Sequence, residues 1–120
     1  MKPHQKLEVW RRSFRLVVDL YRLTSSFPSE EKFGIISQIR RAAVSVPVNI
    51  SEGAARQTKK EFVQFLYIAS GSLSELDTLI LLSDELEFIK DKEQFTRVYA
   101  ELESITKMLM GLINSVKQNI

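Results

Sequence analysis

An antiparallel up-and-down four-helix bundle is the fold class this chain predicts, and three observations predict it. Apolar residues recur at three- and four-residue steps through four separate segments, which is the helical period. No run alternates apolar and polar residues between turn signals, as a half-buried strand would. Start and stop residues punctuate the segments at short intervals, so consecutive helices must run antiparallel. A length of 120 residues with 44% hydrophobic content suits one domain over residues 1–120, large enough for one core and too short for two.

The first helix is expected from about Leu7 to about Ser26. Trp10, Phe14, Val17 and Tyr21 form one apolar stripe, read as the face turned to the bundle core. Val9, Leu16, Leu20, Leu23 and Phe27 form a second stripe beside it. Together they span roughly 200°, wider than a helix in a small bundle hides, so the second stripe is expected to be covered by another subunit. On the remaining face Arg11, Arg15 and Arg22 fall within about 40° of one another. That basic stripe can meet phosphates or simply face water.

Phe27-Pro28 ends the helix, because Pro28 disfavours helical geometry in the residue before it. Ser29 followed by Glu30 and Glu31 reads as an N-cap with acids in the first turn of the second helix. Ile36, Ile39, Ala43, Val46 and Ile50 form the core face of that helix, yet Pro47 interrupts the run with no N–H for the carbonyl of Ala43. A kink or break is expected near Val46, with Ser45 or Asn49 satisfying the carbonyls it frees. Asn49 and Glu52 are read as partners of backbone groups released there, and Gly53 as a place to end the helix. Arg40 and Arg41 are adjacent and point about 100° apart. One is expected to reach Glu52 or another acid inside the assembly and the other to face solvent or RNA, with the choice between them open.

Thr58-Lys59-Lys60-Glu61 has capping-box spacing, so the third helix starts near Lys59 and should reach about Leu86. Phe62, Leu66, Ala69, Leu73, Leu76 and Ile80 alternate by four and three, which is a left-handed bundle seam. Ala69, Ser70, Gly71 and Ser72 allow a neighbouring backbone to come close. Val63, Tyr67 and Leu81 lie off the seam, and Val63 and Tyr67 join Val9, Leu16, Leu20 and Leu23 as the expected oligomer contact. Asp91 caps a fourth helix in which Phe95, Val98, Leu102, Ile105, Leu109, Leu112 and Val116 keep a heptad step.

Composition removes several function classes. The chain has no cysteine, which excludes disulfides, thiol catalysis and cysteine metal sites. His4 is the single histidine, so neither a catalytic triad nor a zinc site has a second member. Glu75, Asp77, Asp84, Glu85 and Glu87 lack the inward Glu-x-x-His pairs of a di-metal bundle and read as a solvated acidic face. No phosphate-binding glycine loop or serine elbow occurs. Neither a catalytic residue, a metal nor a cofactor is expected. Arg11, Arg12 and Arg15 interrupt any apolar leader, and no stretch is expected to span a bilayer, so a cytoplasmic protein without membrane contact is the expectation.

The net charge of +2 conceals an asymmetry: residues 1–60 carry 12 basic and 5 acidic side chains, or +7, and residues 61–120 carry 5 and 10, or −5. The split can draw a polyanion to the first half or let the two halves attract each other.

The string Gln38-Ile39-Arg40-Arg41-Ala42-Ala43-Val44-Ser45-Val46-Pro47, with Asn49-Ile50 and Glu52-Gly53, resembles the signature of the four-helix-bundle proteins encoded in intervening sequences of bacterial 23S ribosomal RNA genes. Val9-Trp10, Phe27-Pro28, Phe65-Leu66, Ala69-Ser70-Gly71-Ser72 and Glu75-Leu76 extend the likeness over most of the chain. Relatives of that family include accessory proteins of diversity-generating retroelements, which form homopentameric barrels with basic, nucleic-acid-binding surfaces. The resemblance therefore implies a non-enzymatic, homo-oligomeric accessory protein, a pentamer, with itself and RNA or DNA as partners. Arg11, Arg15 and Arg22, with Arg56, Lys59 and Lys60 near the start of the third helix, are the candidate phosphate contacts. The alternative is a protein-interaction scaffold whose basic residues only hold the assembly together.

Overall fold

In the computed structural model, which describes residues 1–120, α1 spans Glu8–Thr24, α2 Ile35–Ala54, α3 Lys59–Glu85 and α4 Lys92–Gln118, with short 3-10 turns at Pro3–Lys6 and Ser29–Glu31. α1 packs against α2 and α4, and α3 against the same two helices, while the backbones of the diagonal pairs make no close approach. This is the up-and-down bundle. The two 27-residue helices are each about 40 Å long at 1.5 Å per residue, which accounts for a molecule of 45 × 24 × 24 Å. One continuous cluster of 25 buried apolar residues draws on all four helices.

The caps formed largely where side-chain chemistry called for them. Thr58 Oγ1 accepts from the Glu61 backbone N–H at 3.2 Å and donates to the Glu61 carboxylate at 2.9 Å. Asp91 accepts from the N–H groups of Glu93 and Gln94. The second helix differs. Ser29 to Glu31 close a 3-10 turn, and α2 begins only at Ile35 with Gly34 as its uncapped N-cap. Glu31 nevertheless reaches forward, its carboxylate 3.4 Å from the Ile35 N–H.

α2 runs through Pro47 as one unbroken helix. Pro47 is buried and has no N–H for the carbonyl of Ala43. The Asn49 side-chain amide does not turn to Ala43. It donates to Ser45, at 2.8 Å to the carbonyl and 2.9 Å to the hydroxyl. The Ser45 hydroxyl in turn accepts from Ser72 of α3 at 2.8 Å, so this polar chain ties α2 to the small-residue stretch of α3. Gly53 does not end the helix through a left-handed turn, since no glycine has positive φ. A Cβ there would lie 2.8 Å from Phe65 Cβ and 3.2 Å from the Phe62 carbonyl oxygen. The glycine is what lets α3 cross so close.

The two stripes of α1 are assigned the other way round from the sequence reading. Val9, Leu16, Leu20 and Leu23, expected at a subunit interface, are at most 3% exposed and belong to the monomer's core, and Val63 of α3 is buried with them. Phe14 and Tyr21, expected inside, are exposed, and Trp10 and Val17 only half-buried. The physical reason is shape and polarity. Compact aliphatic side chains fill the space between axes 8–10 Å apart, whereas Trp and Tyr carry polar atoms that favour the wet rim.

Polar contacts lock the helices at the rim. Arg12 of α1 grips Glu101 of α4 with both arms of its guanidinium and donates to Ser104 Oγ at 2.9 Å. Its pKa rises, first because of the Glu101 hydrogen bond, with partial burial opposing it. Across α3 and α4 the Tyr99 hydroxyl donates to Asp77. That bond, with desolvation and the charge of Asp77, pushes the phenol from 10.0 up to about 12. The folded state thus holds the proton more tightly than the unfolded chain. The stabilisation is complete below pH 10 and is lost as pH rises toward 12. Tyr99→Phe is expected to remove the highest step of the tyrosinate ultraviolet titration and to blunt the alkaline fall in melting temperature; an identical fall in both proteins would contradict the assignment.

By length and composition α3 could cross a membrane, with a mean hydropathy of 1.4 over an 18-residue window, contrary to the expectation that no stretch would approach this. Its apolarity has a local explanation. The buried seam of Leu66, Ala69, Leu73, Leu76 and Ile80 supplies core, while Tyr67, Ile68, Leu81 and Leu82 lie uncovered on other faces.

Candidate nucleic-acid interface

On α1 the face opposite the core carries Arg11, Arg15 and Arg22, all exposed. The chain forms three ion pairs, Arg12–Glu101, Arg56–Glu52 and Lys92–Asp84, and none involves these three arginines. Arg11 donates one hydrogen bond, to the Gln5 carbonyl at 2.8 Å, which anchors the preceding 3-10 turn and leaves its charge uncompensated. Eleven residues separate Arg11 from Arg22, about 16 Å along the helix. The stripe is therefore a short basic rail aligned with the bundle axis.

Arg56, Lys59 and Lys60 lie outside α1. They sit at the connection between α2 and α3, and α3 is diagonal to α1. Arg56 is also engaged, 3.3 Å from Glu52 and stacked 4.7 Å from the Phe65 centroid. Lys59 donates to the Asn119 carbonyl at 3.2 Å, joining the start of α3 to the end of α4. Arg56 and Lys59 thus fasten one bundle end, while Lys60 is exposed. Tyr67 is exposed and accepts from Lys117 at 3.1 Å.

Arg40 is the signature arginine that turns inward. Its Nε donates to Thr24 Oγ1 at 2.9 Å and its Nη2 to the Tyr21 carbonyl at 3.2 Å, with the guanidinium 4.4 Å from the Tyr21 ring centroid. A cation placed on the last turn of α1 meets the negative end of the helix dipole. It reaches neither Glu52 nor any other acid. Arg41 is exposed, so it is the member of the pair that faces solvent.

An open hollow of about 470 Å³ between α1 and α4 holds Arg22 and Arg97 beside Asp19 and Glu101, a balanced set of charges. A second hollow of about 720 Å³ lies on the outer side of α1 and α2, where Lys32, Arg40 and Arg41 meet Tyr21 and Phe33. An apolar groove of about 290 Å³ continues from it along Phe14, Trp10, Val44, Val48 and Pro47. Sequence reasoning missed Lys32, Phe33 and Arg97. Phe33 did leave a signal: it is an aromatic outside every apolar period, flanked by Lys32 and Gly34.

Four packed helices, an arginine-bearing outer face and a proline-containing signature held in an unbroken α2 define a class of small helical-bundle proteins with charged surfaces. Within that class the chain belongs to the family of 23S rRNA-intervening sequence proteins, whose profile matches residues 5–111. Among solved structures it is similar to a protein of unknown function from the S23 ribosomal protein family of Bacteroides thetaiotaomicron VPI-5482. The two share 26% identity over 88% of this chain and 97% of the other, with a TM-score of 0.76. A comparison with curated proteins yields no significant match.

Proposed function

We propose that this protein is a homo-oligomeric accessory protein that binds RNA or DNA through the phosphate backbone, with the Arg11–Arg15–Arg22 face of α1 as the contact. The observation that carries the reading is that none of these three arginines enters an ion pair, although Arg22 shares its hollow with Asp19 and Glu101. Guanidiniums outside ion pairs release counterions when they meet phosphates, and the gain is independent of base sequence. Assembly supports it further. The exposed aromatic side of α1 and the exposed Tyr67 and Ile68 of α3 lie on different sides of the bundle, and a head-to-tail contact between unlike faces gives a ring where the rotation between copies closes. The family likeness supplies five as the number of copies, and a cytoplasmic setting is part of the same proposal. A ring repeats a three-arginine stripe into a continuous positive surface.

The expected result is binding without sequence preference whose affinity falls more than roughly a hundredfold between about 50 and 200 mM salt, as for a ring making about five phosphate contacts. Arg11→Glu with Arg15→Glu should abolish it while the particle keeps its sedimentation. Unchanged affinity in the double variant, or no binding by the wild type at low salt, would overturn the proposal. A second reading, a protein-interaction scaffold without a nucleic-acid role, draws on the apolar groove beside Phe14, and it is what would remain.

A further inference from the structure

Lys32 and Phe33 lie between a 3-10 turn and the start of α2, outside any helical apolar period. The Phe33 ring is 90% exposed, against 50% for Phe14, the next most exposed aromatic. Folding gains almost nothing from an apolar ring left in water. Its surroundings are specific. The hollow it lines, about 720 Å³ on the outer side of α1 and α2, contains Lys32, Arg40 and Arg41 and no carboxylate. The α1–α4 hollow, by contrast, opposes its arginines with Asp19 and Glu101. Arg41 also borders a neighbouring hollow that holds Glu75, yet no carboxylate lines the Phe33 hollow, and its three positive charges favour an anion.

Cations and rings are interleaved in this hollow. Lys32 Nζ stands 5.5 Å from the Phe33 centroid, and the Arg40 guanidinium lies 4.4 Å from that of Tyr21. Arg40 is held rigidly by Thr24 and the Tyr21 carbonyl, with further N–H groups left to donate. Arg41 enters no ion pair. An unpaired nucleotide needs this combination, a cation for its phosphate and a flat apolar face for its base. A duplex keeps its base faces inside the stack and can use the cations alone. An interface with another copy of the chain would bury Lys32, and lysine is depleted at the centre of protein interfaces.

We infer that this hollow is a docking site for unpaired nucleotides, with a base stacked on Phe33 and its phosphates held by Lys32 and Arg41, so that the protein prefers single-stranded to double-stranded nucleic acid. The inference rests on the nucleic-acid reading above and deepens it.

The test is fluorescence anisotropy at low salt with a labelled oligouridylate of about 12 nucleotides, a length within the range of single-strand sites, and with an RNA duplex of the same length. Phe33→Ala should weaken the single strand by roughly fivefold to a hundredfold, the value of one stacked base. It should leave duplex affinity unchanged, and the salt slope of single-strand binding too, since no charge is removed. Phe33→Trp should restore or exceed wild-type affinity. An equal loss on both nucleic acids, or no loss on the single strand, would overturn the inference. So would a changed sedimentation coefficient of Phe33→Ala alone, which would mean that the ring covers a second copy of the chain. If Arg11 and Arg15 reversal weakens binding while Phe33→Ala does not, the hollow falls and the α1 surface stands. If neither nucleic acid binds the wild type, both fall.

Discussion

Leu16→Ala combined with Leu20→Ala is expected to abolish the cooperative unfolding transition of the monomer. Both side chains are at most 2% exposed and sit in the cluster shared by all four helices. Truncating a buried leucine costs about 2–5 kcal/mol through lost transfer energy and the cavity left behind. Two such losses amount to about 4–10 kcal/mol, comparable with the whole stability of a small domain. Circular dichroism during heating checks this. A variant that kept the wild-type midpoint but sedimented as a smaller particle would return these residues to an interface. Phe14→Glu supplies the contrast, since half of that ring already faces water: the bundle should keep its fold, and any assembly built on that side should come apart.

Gly53→Val should lower the melting temperature by roughly 5–15 °C, as follows from an overpacking cost of about 1–3 kcal/mol. The clash is with Phe65 Cβ and the Phe62 carbonyl oxygen, atoms tied to the α3 backbone, so no side-chain rotation relieves it. α2 and α3 must separate instead, which also strains the Ser45–Ser72 hydrogen bond between them. Gly71→Ala is the control. Nothing lies within 4 Å of a Cβ there, and an exposed helical Gly→Ala change stabilises by about 0.5–1 kcal/mol. Equal melting temperatures for Gly53→Val and the wild type would show that α3 does not approach as closely as described.

Much of the bundle was legible because period and capping are local. The α3 and α4 seams, the Thr58 and Asp91 caps and the core face of α2 all depend on residues within two turns of one another, and each appeared where its spacing put it. What was illegible depends on partners distant in sequence. Spacing alone does not say which of the two apolar stripes of α1 packs against α2 and α4, so the aliphatic and aromatic stripes exchanged roles. Gly53 looked like a helix terminator because its real constraint, the backbone of α3, lies outside its own segment. Pro47 looked like a breaker because a propensity counts the missing donor and not the burial that outweighs it. For the candidate site, one helix sufficed to align Arg11, Arg15 and Arg22. Arg56, Lys59 and Lys60 were grouped with them by charge alone, and no spacing rule could show that Lys59 reaches the Asn119 carbonyl at the far end of the chain.

The neighbour relations of the helices have an electrical consequence. Most charges of the +7 segment, residues 1–60, lie on α1, α2 and their connections, and those of the −5 segment, residues 61–120, on α3 and α4. Because α1 abuts α2 and α3 abuts α4, the two segments lie side by side along the long axis, with axes about 8–10 Å apart, and the molecule carries a transverse dipole. In a uniform field such a body feels a torque before it feels much net pull, and its monopole of +2 is small. Near a polyanion the protein is therefore turned with α1 and α2 leading. At physiological salt that torque fades beyond about 8 Å, so orientation is selected in the last molecular diameter of approach and a protein arriving on its α3–α4 side is repelled.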